Sequence, residues 1–201
     1  GFMVTGFEDD YSWIEDSDRI DGLIDMTYKG AKLRVLDIGY LNTKGACWAR
    51  HKIQQLYNGE TYTLQLDSHH RFTPLWDETS IDMLEGLRSA DCPKPLLTAY
   101  IPSFDPDNDP GARVNVPWKM NFDRFIPEGA VFFMPSTIDG WDELTEPVRA
   151  RFFSAHFCFV DGDFATNVQH DPQYFFHGEE ISLAVRAFTH GYDLFHPHKV
   201  I

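Results

Sequence analysis

Two kinds of hydrophobic periodicity take turns along this chain, and any fold must satisfy both. Leu33 to Ile38 (Leu-Arg-Val-Leu-Asp-Ile) alternates at period two, the mark of a strand with one buried face. Ala46 to Tyr57 instead places Ala46, Ala49, Ile53, Leu56 and Tyr57 on one helical stripe, and Asn58-Gly59 supplies a left-handed stop. Thr61 to Leu66 returns to β-prone residues and runs straight into Asp67-Ser68-His69-His70-Arg71. A second helix is predicted from about Glu78 to Arg88, with Ile81, Leu84 and Leu87 inward, and then a strand from Pro95 to Tyr100. Val131–Met134 and Phe152–Val160 read as strands, the latter closed by the turn signal Asp161-Gly162. Glu179 to His190 is a helix by its stripe of Ile181, Ala184, Val185 and Phe188. Gly191 caps it, and a short strand, Asp193–Phe195, leads to Pro197. Phe2-Met3-Val4 reads as a strand. The acidic stretch from Glu8 to Asp25 has no clean period and reads as loop and short helix. Residues 102–117, with Pro102, Pro106, Pro110 and Pro117, form a connection longer than compact domains carry without a use. Strand and helix alternate early and strands cluster late, so the class is α/β with a mixed sheet.

Composition narrows the functions open to such a fold. At 201 residues the chain fits one domain, taken as 1–201. A net charge of −14 leaves no cationic surface for nucleic acid or for anionic lipid. With 43% hydrophobic and 15% aromatic residues the chain is too apolar for disorder. No apolar run approaches the roughly eighteen residues of a membrane span, and no secretory signal segment is present. Cys47, Cys92 and Cys158 are odd in number and far apart, which fits neither a disulfide framework nor a zinc ribbon. Buried thiols in a reducing compartment are expected, hence a cytoplasmic location. A chain that opens on Gly1 reads as a processed product or a fragment.

The strongest chemical feature is Asp67-x-His69 at the end of a predicted strand. Residues two apart on a strand point to one face, so a carboxylate oxygen and an imidazole nitrogen can converge on one ion. Ligands of open α/β sheets sit beyond the carboxyl ends of strands, where this pair falls. Mixed oxygen and nitrogen donors suit Mn²⁺, or Mg²⁺, and lack the thiolates of a structural zinc site. Alone, Asp-x-His is common by chance, and a polar strand end whose Asp caps a turn is the plainer reading.

It does not stand alone. Gly45-Ala46-Cys47-Trp48-Ala49-Arg50 precedes it. Gly59-Glu60-x-Tyr62-x-Leu64-Gln65-Leu66-Asp67-Ser68-His69-His70-Arg71-Phe72 and Trp76-Asp77 surround it, and Phe176-His177-Gly178-Glu179-Glu180-Ile181-Ser182 to Tyr192-Asp193 comes far downstream. The set resembles the polypeptide α-N-acetylglucosaminyltransferases that modify hydroxyproline or Thr/Ser. More distantly it is similar to the mucin-type polypeptide N-acetylgalactosaminyltransferases, with their Asp-Ser-His metal motif and Gly-Glu-Asn helix. The likeness covers roughly residues 33–101 and 150–197.

That resemblance implies a GT-A-like nucleotide-diphospho-sugar transferase fold, with a mixed, mostly parallel central sheet flanked by helices. It implies a retaining, metal-dependent transfer of N-acetylglucosamine from UDP-GlcNAc to a hydroxyl of a protein or peptide acceptor. Asp67 and His69 would hold Mn²⁺ or Mg²⁺. Arg50, Gln65, Asp67, Ser68, Arg71 and Trp76 would form the nucleotide-sugar site, with Glu179 toward the sugar and Glu180 toward the acceptor. Each has a plainer reading: Arg50 on a solvated helix face, the two glutamates complementing the helix dipole, and Asp77 as the N-cap of the next helix, the role preferred for it. Trp118, Trp141 and the Pro-rich loop are acceptor-groove material or core. The family's first, uracil-seating strand is not found, and the third metal ligand, a His, would fall just past Ile201. His190, His196 and His198 stand as substitutes, and the piece reads as cut at both ends. Two alternatives remain: a sugar-nucleotide hydrolase using the same metal site, and a catalytically dead carbohydrate- or peptide-binding module. An iron and 2-oxoglutarate oxygenase built on His177-Gly178-Glu179 ranks below both.

Overall fold

The structure, a computed structural model, describes residues 2–5, 18–20, 23–38 and 40–201. Its centre is a six-stranded sheet in the order β1-β5-β10-β6-β11-β9. The strands are β1 (Phe2–Thr5), β5 (Tyr62–Leu66), β6 (Pro95–Thr98), β9 (Val148–Arg149), β10 (Phe157–Asp161) and β11 (Asp193–His196). Only β1 with β5 and β6 with β11 run parallel. β10 is antiparallel to both of its neighbours, and β9 is antiparallel to β11. The sheet is therefore mixed, and the expected mostly parallel arrangement is corrected. The reason is topological: the late strand β10 slots between β5 and β6, which parallel crossovers alone would have made neighbours.

Alternation along the strands sorts the core into two faces. Leu96, Cys158, Val160 and Leu194 point to one side, where α4 (Glu179–Thr189) brings Leu183, Ala184 and Ala187. Leu97, Phe157, Phe159 and Phe195 point to the other, against Met83, Leu84 and Leu87 of α2 (Trp76–Ser89). Helices on both faces of one sheet make three layers, the α/β arrangement expected from the strand and helix order. All three cysteines are buried and free. Among the described residues no helix is long and apolar enough to cross a membrane.

Several elements differ from expectation. Within the stretch 8–25, read as loop and short helix, Asp18–Ile20 is strand β2 and Leu23 opens β3 (Leu23–Tyr28). With β4 (Ala31–Leu36) they form a separate antiparallel sheet; residues 8–17 and 21–22 lie outside the described residues. α1 (Ala46–Gln54) stops before Tyr57, because Leu56 N and Tyr57 N reach back only three residues, to Ile53 O and Gln54 O, and tighten the last turn. α2 starts at Trp76 with Leu75 in the capping position, so Asp77 lies in the first turn and is not the N-cap. A strand that was not anticipated, β7 (Trp118–Phe125), pairs with β8 (Val131–Thr137) as a two-stranded hairpin. Of the stretch 152–160, only Phe157 onward is strand; 152–156 is irregular. That irregular piece matters, because its free backbone groups serve the site. A short helix, α3 (Phe164–Asn167), follows β10.

Gly162, in the turn after β10, lies so close to Glu60 that a Cβ there would stand 1.8 Å from the Glu60 carbonyl oxygen. Backbone cannot yield as a side chain can. Gly162→Ala should therefore cost roughly 3 kcal/mol, lowering Tm by about 6–12 °C for a chain of this size; thermal unfolding followed by circular dichroism measures it.

Candidate active site

The site is organised by one buried arginine. α1 begins at Gly45, whose φ of +101° and whose 2.5 Å gap between a notional Cβ and Phe175 O leave room for glycine alone. Ala46 N donates to the same Phe175 carbonyl at 3.1 Å, tying the start of α1 to the segment before α4. One turn later Arg50 is 6% exposed. Its Nη1 donates to Glu179 Oε1 at 2.8 Å and its Nη2 to Asp67 Oδ1 at 2.7 Å. A planar fork can serve two carboxylates at once, which a lysine's single ammonium does poorly. Three distant sequence motifs thus meet at one side chain.

Glu179 is held from its other oxygen too. Cys47 Sγ donates to Oε2 at 2.8 Å, and His170 Nδ1 lies 3.5 Å from the same atom. Burial works against ionisation of this carboxyl, but the Arg50 charge and the Cys47 contact oppose it, and the carboxyl lies below its usual range. Burial, then the bond to Glu179, pushes the Cys47 thiol up to about 12, so it is a poor nucleophile. The His170 backbone is fixed by α1: its N donates to Gln54 Oε1 at 2.8 Å, and its carbonyl lies 3.0 Å from His51 Nδ1.

Ala155, in the irregular stretch before β10, uses both of its backbone groups. Its carbonyl accepts from Gln65 Nε2 at 2.6 Å, and its N–H donates to Glu180 Oε1 at 3.0 Å. Tyr100 reaches Glu180 Oε2 at 3.4 Å. Burial raises the Glu180 carboxyl to about 7, with the Ala155 bond opposing and the Glu179 charge adding. This group can therefore give or take a proton near neutrality. Beside it, His156 Nε2 accepts from Ile101 N at 3.0 Å, so the ring hydrogen sits on Nδ1, 3.0 Å from Ser154 Oγ. Burial first, then the neighbouring His70, brings His156 down to about 4 and keeps it neutral.

Two cavities share Tyr100 and His156 as a common wall. The larger, about 630 Å³, is lined by Arg50, Asp67, Glu179 and Glu180, with exposed Phe132, Phe176 and Val185 toward its rim. The smaller, about 280 Å³, is lined by His69, His70, Arg71, Phe104 and Trp118. β5 ends at Leu66, so Asp67 follows the strand and Ser68 and His69 lie in an exposed turn. The expectation that a strand would aim Asp67 and His69 to one face is corrected: the turn sets their directions, and they meet adjoining cavities. Among the described residues, Asp67 Oδ2 has no hydrogen-bond partner, and the exposed His69 ring stacks on His70 at 5.5 Å. Both therefore have a donor atom available.

The other expected residues divide. Gln65 is buried, bonds to the Ala155 carbonyl and to His170 Nε2, and lines neither cavity. Arg71 lies over the Phe104 ring at 5.0 Å and 3.5 Å from Asp109. Trp76 packs on the core and tilts against Phe72 at 4.5 Å, and it lines neither cavity. Trp118 lines the smaller cavity, and Trp141 lines neither. Of the substitute ligands, His196 uses both nitrogens on Thr98 O and Met120 N, and His190 caps α4 through Arg186 O. His198 is buried away from both cavities. Tyr100, His156 and His170 join the site with no local motif to announce them.

Removing Arg50 would leave Asp67 and Glu179 buried or half-buried without their shared counter-charge. Arg50→Met should cost about 3–5 kcal/mol, and Arg50→Lys should recover part of it, as read from chemical denaturation midpoints.

No curated protein matches the sequence. The family model described as Glycosyltransferase (GlcNAc) matches residues 8–201. A cavity walled by paired carboxylates, in a three-layer α/β fold, is consistent with that match, and the chain belongs to this glycosyltransferase family.

Proposed function

We propose that the chain moves N-acetylglucosamine from UDP-GlcNAc to a hydroxyl on a protein or peptide, with retention of configuration, on a GT-A-like fold. Family membership supports glycosyl transfer. The observation that carries the finer reading is the convergence of Asp67, Glu179 and Glu180 on one 630 Å³ cavity, the first two bridged by Arg50. A cavity of that size suits a nucleotide sugar, since ligand sites span roughly 300–1,000 Å³. Buried free thiols fit a reducing, cytoplasmic setting.

Asp67 Oδ2 and the His69 imidazole are an oxygen and a nitrogen donor with no hydrogen bond among the described residues, a set that fits Mn²⁺ or Mg²⁺. Such a cation would stabilise the negative charge that grows on a departing diphosphate. The chain's own residues have the remaining tasks. Glu179, kept ionised, places negative charge where positive charge builds at the anomeric carbon. Glu180 orients the acceptor hydroxyl and can receive its proton. Arg50 spends both terminal nitrogens on Asp67 and Glu179, so it positions carboxylates, and Arg71 is left as the cation nearest the smaller cavity. Ser68, exposed in the same turn, can contact phosphate.

His69→Ala tests the metal assignment more cleanly than Asp67→Asn, which also breaks the bridge to Arg50. His69→Ala should lower transfer about 100-fold or more while stability moves by less than about 0.5 kcal/mol. Transfer to a peptide from UDP-GlcNAc with Mn²⁺ is the assay, and unchanged activity at limiting Mn²⁺ would remove His69 from the site. Free sugar released at the same rate without acceptor would turn the reading toward a hydrolase.

Glu180 gives a pH signature with a definite sign. Its folded pKa near 7 lies above the ordinary 4.5, so the folded form holds its proton longer than the unfolded one. Stability should fall as pH rises from about 4.5 to 7, by about 3 kcal/mol in all. Glu180→Gln should abolish that fall, making the variant more stable than the parent at pH 8 but not at pH 4. In the same window kcat/KM should rise with pH in the parent and stay flat and low in the variant.

A further inference from the structure

Gln65 fixes a hydrogen position that its neighbours must obey. Its amide nitrogen donates to the Ala155 carbonyl, a group that only accepts. The amide oxygen therefore faces His170, and His170 Nε2, 2.8 Å away, carries the ring hydrogen. A neutral His170 then presents Nδ1 as a bare lone pair. That atom is buried, makes no hydrogen bond, and faces Glu179 Oε2 at 3.5 Å. Cys47 Sγ completes the group, and the three ligand atoms lie within 4.8 Å of one another, all on buried residues. Two acceptors turned toward each other in a buried space call for positive charge between them.

We propose that Cys47, His170 and Glu179 bind a divalent cation of the zinc type. The site is separate from Asp67 and His69 and shares Glu179 with the proposed reaction: with a cation bound there, Glu179 would hold the cavity wall rather than offer its charge to the sugar. Sulfur, nitrogen and oxygen donors together select zinc over manganese or magnesium. The surroundings match what such ligands need. A metal-bound imidazole donates its other N–H to a fixed acceptor, here Gln65 Oε1, and a metal-bound carboxylate is itself hydrogen-bonded, here through Oε1 to Arg50. Charge balances as well: with the thiol proton released to solvent, the Cys47 thiolate, Glu179 and Asp67 carry three negative charges, against Arg50 and a dication. In a tetrahedral zinc site the nitrogen and oxygen ligands stand roughly 3.4 Å apart by their bond lengths, and Nδ1 and Oε2 are already at 3.5 Å. Cys47 Sγ, at 2.8 Å from Oε2, would have to move out by roughly 0.8 Å. The three ligands come from α1, from the loop after α3 and from the first residue of α4, so the cation would pin those pieces together behind the cavity wall. Only Glu179 of the three lines that cavity.

The test uses the metal itself. The chain is loaded with Zn²⁺, dialysed, and its metal content measured by plasma mass spectrometry; stoichiometric retention is expected. Co²⁺ in place of zinc should give a thiolate-to-cobalt absorption band in the near ultraviolet, which Cys47→Ser should abolish and His69→Ala should leave intact. The parent's cobalt spectrum carries the test even if a variant fails to fold. No retained metal and no thiolate band in the parent would mean that protons alone hold the cluster, and would overturn the proposal. A band that survives in Cys47→Ser would assign the sulfur to another cysteine and overturn it equally.

Discussion

The guanidinium of Arg50 is the interaction on which the rest of the site depends. It sits where three pieces of chain with no local relation come together: the first helix, the end of β5 and the start of α4. Without a shared cation, Asp67 and Glu179 would repel each other in a place where water screens poorly. The bridge also explains an acidic protein with so few buried cations near its cavity. One fork serves two carboxylates, and Asp67 Oδ2 has no hydrogen bond among the described residues. Buried ion pairs are weak evidence for stability, because desolvation offsets much of the attraction. Their value here is geometric: the fork fixes how far apart the two carboxylates stand.

Around that bridge the backbone does much of the positioning. The stretch 152–156 leaves the strand ladder, and this departure frees the Ala155 N–H and carbonyl to hold Glu180 and Gln65. Ser154 N meets Thr98 Oγ1 in the same region at 2.8 Å, so β6 fixes the height of the segment. Two carboxylates adjacent in sequence thereby acquire different characters. Glu179 accepts from Arg50 and Cys47 and lies below the usual carboxylate range, whereas Glu180 is buried with a single backbone donor and a tyrosine and is raised to about 7. Neighbouring groups pushed apart in this way are a common basis for divided catalytic roles.

Much of this was legible in the residues. The stripes of α2 and α4 and the largely apolar runs of β5, β6 and β10 identify the layers, because burial constrains the pattern. Asp67, Glu179 and Glu180 stand out as polar groups at element ends, and Arg50 by its place in the Gly45–Arg50 segment. What stayed hidden depends on distance along the chain. Nothing local says that β10 will insert between β5 and β6, nor that His170 will turn toward a cysteine more than a hundred residues earlier. β7 does carry an alternation, in Trp118, Met120 and Phe122, but its charged residues and the register shift between Phe122 and Arg124 obscure it. Leu75 ahead of α2 holds a left-handed conformation at φ 60°, which residue type gives no cause to expect.

The placement of β10 has a consequence for how such a chain matures. β1 and β5 on one side, and β6 on the other, become one sheet only when β10 arrives to zip them, and β11 then adds beyond β6. Until a ribosome has delivered that segment, and then the start of α4, Arg50 has Asp67 within reach but not Glu179. Pairings of such long sequence separation form slowly. A nascent chain of this kind would carry its half-built sheet, with open edges, until β10 emerged, and α4 would close the pocket only after that.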